Sequence, residues 1–204
     1  MPPPPTLDDL VIRRITPADA QGVAEAFARL SAESRSLRFL TQKAELSAEE
    51  LRYFTEVDGH SHEALCAVDP GSGDGVGIAR FVRDPQDPSR AEVAVTVVDA
   101  WQRRGLGTLL LARLADRARE EGIERFTALA SGENPAVHAL LENLGAPVRR
   151  VGGGNGAVEY EVQLPAAGIG DQLQAALRAA GRGHLRLPPA VHDALESALP
   201  LRLR

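Results

Sequence analysis

Between Glu92 and Glu121 the chain passes from one periodicity to another with only a short loop between them. Glu92 to Val98 is rich in valine and reads as a strand. Gly105 to about Glu121 places Leu106, Leu109, Leu110, Leu114 and Ala118 on one helical face, and Gly122 ends the helix. The loop between them is Asp99-Ala100-Trp101-Gln102-Arg103-Arg104, and the helix opens on Gly105-Leu106-Gly107-Thr108. The N–H groups of a first helical turn have no partners within the helix, and the helix dipole makes that end positive. Glycines let a ligand approach the backbone closely, so this junction suits a pyrophosphate. Arg103 and Arg104 add charge, and Thr108 adds a hydroxyl donor. The bland alternative is a solvated helix start with two surface arginines. Two better-known phosphate motifs do not fit. Leu110 stands where the dinucleotide fingerprint needs its third glycine, and no Gly-Lys-Ser/Thr of a P-loop occurs.

The surrounding pattern favours an α/β fold. Residues 1–9 are Pro-rich and polar and are expected to be disordered. Leu10 to Ile15 reads as a strand, Thr16-Pro17-Ala18-Asp19 starts a helix, and Ser31 to Leu40 forms a second short helix. Ser47-Ala48-Glu49-Glu50 is a capping box that opens a third helix, running to about Val57. Strands over 64–68, 76–82 and 92–98, joined by short turns, make an antiparallel meander. After the central helix come a strand at Phe126–Ala130, a helix at Asn134–Leu144 ended by Gly145, and a hairpin of 148–151 with 158–162. Residues 165–204 read as a separate helical extension. With 204 residues, the chain is long enough to bury a full core without disulfides or metal. A single cysteine, Cys66, excludes an internal disulfide. The first residues have neither the basic nor the apolar region of a signal peptide, and no apolar run is long enough to span a membrane. The compartment expected by default is the cytoplasm. A net charge of −5 argues against sequence-independent nucleic-acid binding by the whole surface. Of 23 basic residues only Lys43 is a lysine, which reflects composition bias before chemistry.

Gln102-Arg103-Arg104-Gly105-Leu106-Gly107 resembles the Gln/Arg-x-x-Gly-x-Gly/Ala motif of the GNAT superfamily of N-acetyltransferases. Downstream, Asn134 begins Asn-Pro-Ala-Val-His-Ala-Leu-Leu-Glu-Asn-Leu-Gly, similar to a second family element. The resemblance covers about residues 10–164. It implies a mixed, mostly antiparallel sheet flanked by helices, here with a C-terminal helical extension. It also implies acetyl-CoA as co-substrate, with no metal. The strand at Val95–Val98 would splay from that at Phe126–Ala130, leaving a gap for the pantetheine arm. Backbone groups of Val97 and Val98 would pair with the arm's amides, and Asn134 would bond to it. Gln102 falls on the motif's first position, and N–H groups from Arg103 through Arg104, Gly105, Leu106 and Gly107 to Thr108 would hold the pyrophosphate.

Three stretches resemble the bacterial protein-lysine acetyltransferase branch: Ser34-Arg35-Ser36-Leu37-Arg38-Phe39, His62-Glu63-Ala64-Leu65 and Ala91-Glu92-Val93-Ala94. In that branch a glutamate at the start of the fourth strand is the general base, and Glu92 matches it. Without the resemblance, Glu92 would read as a strand-edge charge beside Arg90. Neutralising a lysine amine at pH 7 costs about 4.6 kcal/mol, so a base is needed. Many family members carry a tyrosine that protonates the departing thiolate; here that position is Leu141, and the usual Gly-Phe is Gly145-Ala146. The leading acceptor is a protein lysine, the second a small amine. A non-catalytic acyl-CoA-binding module is the competing class. His60 and His62 lack further metal ligands nearby in sequence and read as turn histidines. Cys66 reads as core and Trp101 as packing beneath the loop. His138 reads as a packing or hydrogen-bonding residue.

Overall fold

The computed structural model describes residues 5–41, 43–132 and 134–165, all within one compact unit, Met1–Pro165. The expected helices of the C-terminal extension lie outside the described residues. Among the described residues seven strands form one sheet in the order β1-β2-β3-β4-β5-β7-β6. They are β1 (Val11–Arg14), β2 (His62–Val68), β3 (Gly75–Arg83), β4 (Arg90–Val97), β5 (Arg125–Ser131), β6 (Val148–Gly154) and β7 (Ala157–Gln163). Every neighbouring pair is antiparallel except β4 with β5. The mixed, mostly antiparallel sheet expected from the sequence is therefore present.

The helices are α1 (Ala20–Ala28), α2 (Ala32–Phe39), α3 (Ala48–Thr55), α4 (Leu106–Glu120) and α5 (Pro135–Glu142). The capping box at Ser47 closes in both directions, with Glu50 N–H on Ser47 Oγ at 3.2 Å and Ser47 N–H on Glu50 Oε2 at 2.9 Å. Helix α4 buries Leu106, Leu110, Leu111, Leu114, Ala115 and Ala118. Each such leucine contributes about 1.5–3 kcal/mol by leaving water. Leu109, placed on that face by spacing alone, is only half-buried, and Leu111 takes its place in the core. Gly77 of β3 makes the close packing possible, because a Cβ there would stand 2.9 Å from Leu110 Cδ1. The opposite face of β2 and β3 meets α1 and α3, with Ile15, Ala64 and Cys66 in a second small core. Burial pushes the Cys66 thiol's pKa up.

The N-terminal lead differs from the expectation of disorder through residue 9. Leu7–Asp9 form a 3₁₀ turn, with Asp9 Oδ2 accepting from both the N–H and the hydroxyl of Thr6. Leu7 is partly buried against the main core, and this apolar contact fixes a segment whose composition is polar.

Candidate functional site

The parallel pairing of β4 with β5 is short. Arg90, Ala91 and Glu92 pair with Arg125, Phe126 and Thr127, and no further rung follows. On its other edge β5 stays paired with β7 along its whole length. Beyond Glu92 and Thr127 the two central strands therefore part, leaving a gap in the middle of the sheet.

The orientation of β4's backbone follows from its partnership with β3. Asp84 N–H donates to Arg90 O at 2.9 Å, and Val98 N–H donates to Val76 O at 3.1 Å. Antiparallel ladders alternate, so Glu92, Ala94 and Thr96 share this orientation toward β3. The backbone groups of Val95 and Val97 then face the gap. Of the two residues the resemblance named, Val97 faces the gap, although its carbonyl accepts from Gln102 Nε2 at 3.1 Å. Val98 has both backbone groups engaged, its carbonyl accepting from Trp101 N–H at 2.8 Å. The second gap-facing residue is Val95, one place earlier. Strand parity would have revealed this in the sequence once the paired edge was known.

At the open end of the gap, Asp99–Trp101 form a 3₁₀ turn, and Gly105 caps α4 with φ 91°. That conformation favours glycine. The first intrahelical bond is Leu109 N–H to Gly105 O at 3.0 Å, so the N–H groups of Leu106, Gly107 and Thr108 have no carbonyl within the helix. A Cβ placed on Gly107 would lie 3.5 Å from Leu140 Cδ1 and 3.8 Å from methyls of Val95 and Val97. It would point at the wall of the gap without a clash. Arg103, Arg104 and Gln102 are exposed. Arg104 lies over the buried Trp101 ring, 4.1 Å from its centre, and donates to Pro5 O at 2.6 Å. Thr108 Oγ1 accepts from Asn143 Nδ2 at 3.3 Å, leaving its own proton to donate. Asn134 caps α5 through Oδ1, accepting from Ala136 N–H at 3.2 Å. Leu141, on the same helix, is buried. These donors fit acetyl-CoA: free amides and an arginine for the phosphates, and peptide groups of Val95 and Val97 along the gap.

Glu92 occupies the last paired rung, where the gap begins, and its side chain is exposed. By alternation Ala94 and Thr96 follow it on one face of β4, each pair of positions about 7 Å apart. Helix α2 crosses this face. At its N-terminus Ser31 Oγ and Ser34 Oγ donate to Asp99 at 2.9 and 2.8 Å, and Gln102 Nε2 donates to Ser34 Oγ at 3.1 Å. Near its C-terminus Arg38 Nε donates to Thr96 Oγ1 at 3.0 Å. One helix thus touches both the Gly-x-Gly loop and the face carrying Glu92.

Two arginines on this face had no assigned role in the sequence reading. Arg80 of β3 stands opposite Ala94 and lies over Tyr53 and Phe54, 4.8 and 5.0 Å from the ring centres. Its Nε and Nη1 are shut from solvent without a hydrogen-bond partner. Burial, then the charge of Arg80, lowers the Arg38 pKa to about 10. The signal in the sequence was an arginine inside an otherwise apolar strand. His62, half-buried beside Tyr53, has its pKa lowered by burial and then by Arg80. His60 pairs with Glu121, and no group of three metal-ligating side chains occurs among the described residues.

Comparison with known proteins agrees with this geometry. The family model described as Acetyltransferase (GNAT) family matches residues 27–146. Acetyltransferase Pat of Mycolicibacterium smegmatis is 32% identical over 154 residues, covering 76% of this chain and 45% of that protein. The chain therefore spans less than half the length of that relative. An acetyltransferase of Pseudomonas aeruginosa is 30% identical over 145 residues, covering 69% of this chain and 77% of the relative. The crystal structure of the GNAT domain of S. lividans PAT superposes with a TM-score of 0.69 at 31% identity, covering 75% of this chain and 89% of that one. A Salmonella typhimurium protein solved with acetyl-CoA shares the fold, with a TM-score of 0.62 at 24% identity over 78% of this chain and 95% of that one.

Proposed function

This chain belongs to the acetyltransferase (GNAT) family, and we propose that it moves the acetyl group of acetyl-CoA to an amine, foremost the ε-amine of a protein lysine, with Glu92 as general base. The observation that carries the reading is the position of Glu92 on the last rung shared by β4 and β5, where the gap begins. The lysine acceptor rests on the resemblance of residues 34–39, 62–65 and 91–94 to the bacterial protein-lysine acetyltransferase branch. Two of the relatives carrying the name Pat agree with that branch.

Acetyl-CoA supplies a thioester, an acyl group activated toward amines. The first-turn amides of Leu106, Gly107 and Thr108, with Arg103 beside them, bind its phosphates. Val95 and Val97 orient the pantetheine arm by peptide hydrogen bonds. Glu92 accepts the proton that makes the amine nucleophilic, offsetting part of the roughly 4.6 kcal/mol that deprotonation demands at pH 7. Its exposure lets that proton pass on to solvent. The buried Leu141 offers no proton to the departing sulfur. A thiolate, with a free-thiol pKa of about 8.5, leaves without one more readily than an alkoxide.

A second reading, a small-molecule acceptor, is favoured by one observation. A cavity of about 140 Å³ lies between α1, α2, α3 and the face of β3 and β4 that bears Ala94 and Thr96. Thiol release from acetyl-CoA, measured against a panel of proteins and small amines and followed by detection of acetyl-lysine, separates the two. Release with amines but never with proteins refutes the lysine acceptor. No release with any acceptor refutes transfer and leaves a CoA-binding module.

A further inference from the structure

The cavity beside Glu92 has a chemistry that acetyl transfer alone does not require. Its walls are largely apolar, with Phe27, Phe39 and Phe54 among them, yet three guanidinium groups line it, those of Arg13, Arg38 and Arg80. Neither Arg38 nor Arg80 takes part in a salt bridge among the described residues. Among the described residues the only carboxylate on the wall is Asp19, which already holds Arg13 through two bonds of 2.6 and 2.8 Å. The cavity thus carries two positive charges that no salt bridge among the described residues neutralises, with the more distant charge of Glu92 acting favourably on Arg38.

Arginine is not placed this way for packing alone. A buried donor without an acceptor loses its hydration and gains nothing in return, and the penalty is larger for charged groups than for neutral ones. Arg80 leaves two such donors, Nε and Nη1, while Tyr53 and Phe54 hold its plane in place. Arg38 is held from β4 by Thr96 and from α2 by its own backbone. The charges repel one another, so an anion between them would relieve both the repulsion and the missing hydrogen bonds. A guanidinium presents paired N–H groups that match the two oxygens of a carboxylate.

From this arrangement we infer that Arg38 and Arg80 form a carboxylate subsite in the acceptor cleft, so that the preferred acceptor carries a carboxylate as well as its amine. The inference rests on the acetyl-transfer reading and narrows its acceptor class. Glu92, on the same face of β4, repels that carboxylate and attracts the ammonium end, which orients the acceptor with its amine toward the base. The carboxylate has two possible sources, the α-carboxylate of a free amino acid or an acidic side chain next to an acceptor lysine.

The test is a calorimetric titration of the full chain, saturated with CoA, with matched ligands. L-Lysine and cadaverine share the same terminal amine and differ by the carboxylate. The capped peptides acetyl-Asp-Lys-Asp-amide and acetyl-Ala-Lys-Ala-amide differ by side-chain carboxylates. A preference of about 10-fold or more for the carboxylate-bearing member of either pair supports the subsite. Preference within the first pair identifies a free amino acid, and within the second an acidic protein segment. Arg80→Gln and Arg38→Gln should each bring the preferred pair to within about 3-fold. Equal affinity within both pairs in the unaltered protein overturns the inference, as does a preference that survives both substitutions. Because binding is read without turnover, a carboxylate preference without thiol release from any amine would refute the transferase reading and leave the subsite standing.

Discussion

Gly107→Ala separates the stability of the fold from the fit of its cofactor. The added Cβ meets Leu140, Val95 and Val97 at 3.5–3.8 Å, ordinary contact distances, so the ligand-free protein has room for it. Alanine also gains up to about 1 kcal/mol over glycine in a helix, less in a first turn. The ligand-free variant should therefore melt at the same temperature or up to about 4 °C higher, at 2–4 °C per kcal/mol for a chain of this size. The methyl nevertheless points at the wall of the gap, beside Val95, Val97 and Leu140, where the proposed function puts the pantetheine arm and phosphates. At 100 times Kd, acetyl-CoA stabilises the unaltered protein by about 2.7 kcal/mol; a 100-fold weaker Kd leaves about 0.4 kcal/mol at the same concentration. Thermal scans with and without acetyl-CoA should show a shift of about 5–11 °C for the unaltered chain and under about 2 °C for the variant. A full ligand-induced shift in the variant would refute the placement of the cofactor. A lowered melting temperature without ligand would refute the packing argument. Gly105→Ala is the contrast, since a side chain at φ 91° is strained and should destabilise the ligand-free protein.

Glu92→Gln keeps the shape and removes the basicity: kcat should fall by about 10²–10⁴ at pH 7, less at high pH, with acetyl-CoA affinity unchanged, and equal rates at pH 7 would exclude Glu92 as base. Asp19 has its carboxyl held at a pKa of about 2, foremost by hydrogen bonding to Arg13. Its contribution is complete above the unfolded value near 3.8 and fades as pH falls toward 2, so Asp19→Asn should lower the melting temperature at pH 6 and have little effect near pH 2. Glu63 is fully buried between Arg14, at 2.6 Å, and Arg117, at 3.3 Å. Arg14→Met strips the closer partner from a buried carboxylate and should cost about 3 kcal/mol, whereas Glu63→Gln leaves two arginines that reach solvent and should cost less; urea titration measures both.

The junction of β4 and α4 was legible in the sequence because its two periodicities meet across a short loop. The capping box at Ser47 and the succession of elements along the chain were legible for the same local reasons. The carbonyl and amide directions along β4 were not. The backbone of Val98 turns to β3 and that of Val95 to the gap, a parity that depends on which edge of the strand is paired, a property of the assembled sheet. Arg80 was visible as a polar residue in an apolar strand, but its burial requires Tyr53 and Phe54 to arrive from α3, about 25 residues away in sequence. Leu7 was hidden by its prolines: the composition of residues 1–9 is that of a free tail, and one leucine with a place in the core is enough to anchor part of it.

The hydrogen bond from Arg104 to the carbonyl of Pro5 has a practical meaning for anyone handling this protein. It fastens the segment ahead of β1 to the loop that opens α4, with Leu7 resting beside Gly105. A bulky or acidic group introduced at Thr6 or Leu7 would therefore stand beside that loop. It would crowd the place proposed for the phosphates, and an affinity measured on such a variant would report the addition as much as the protein.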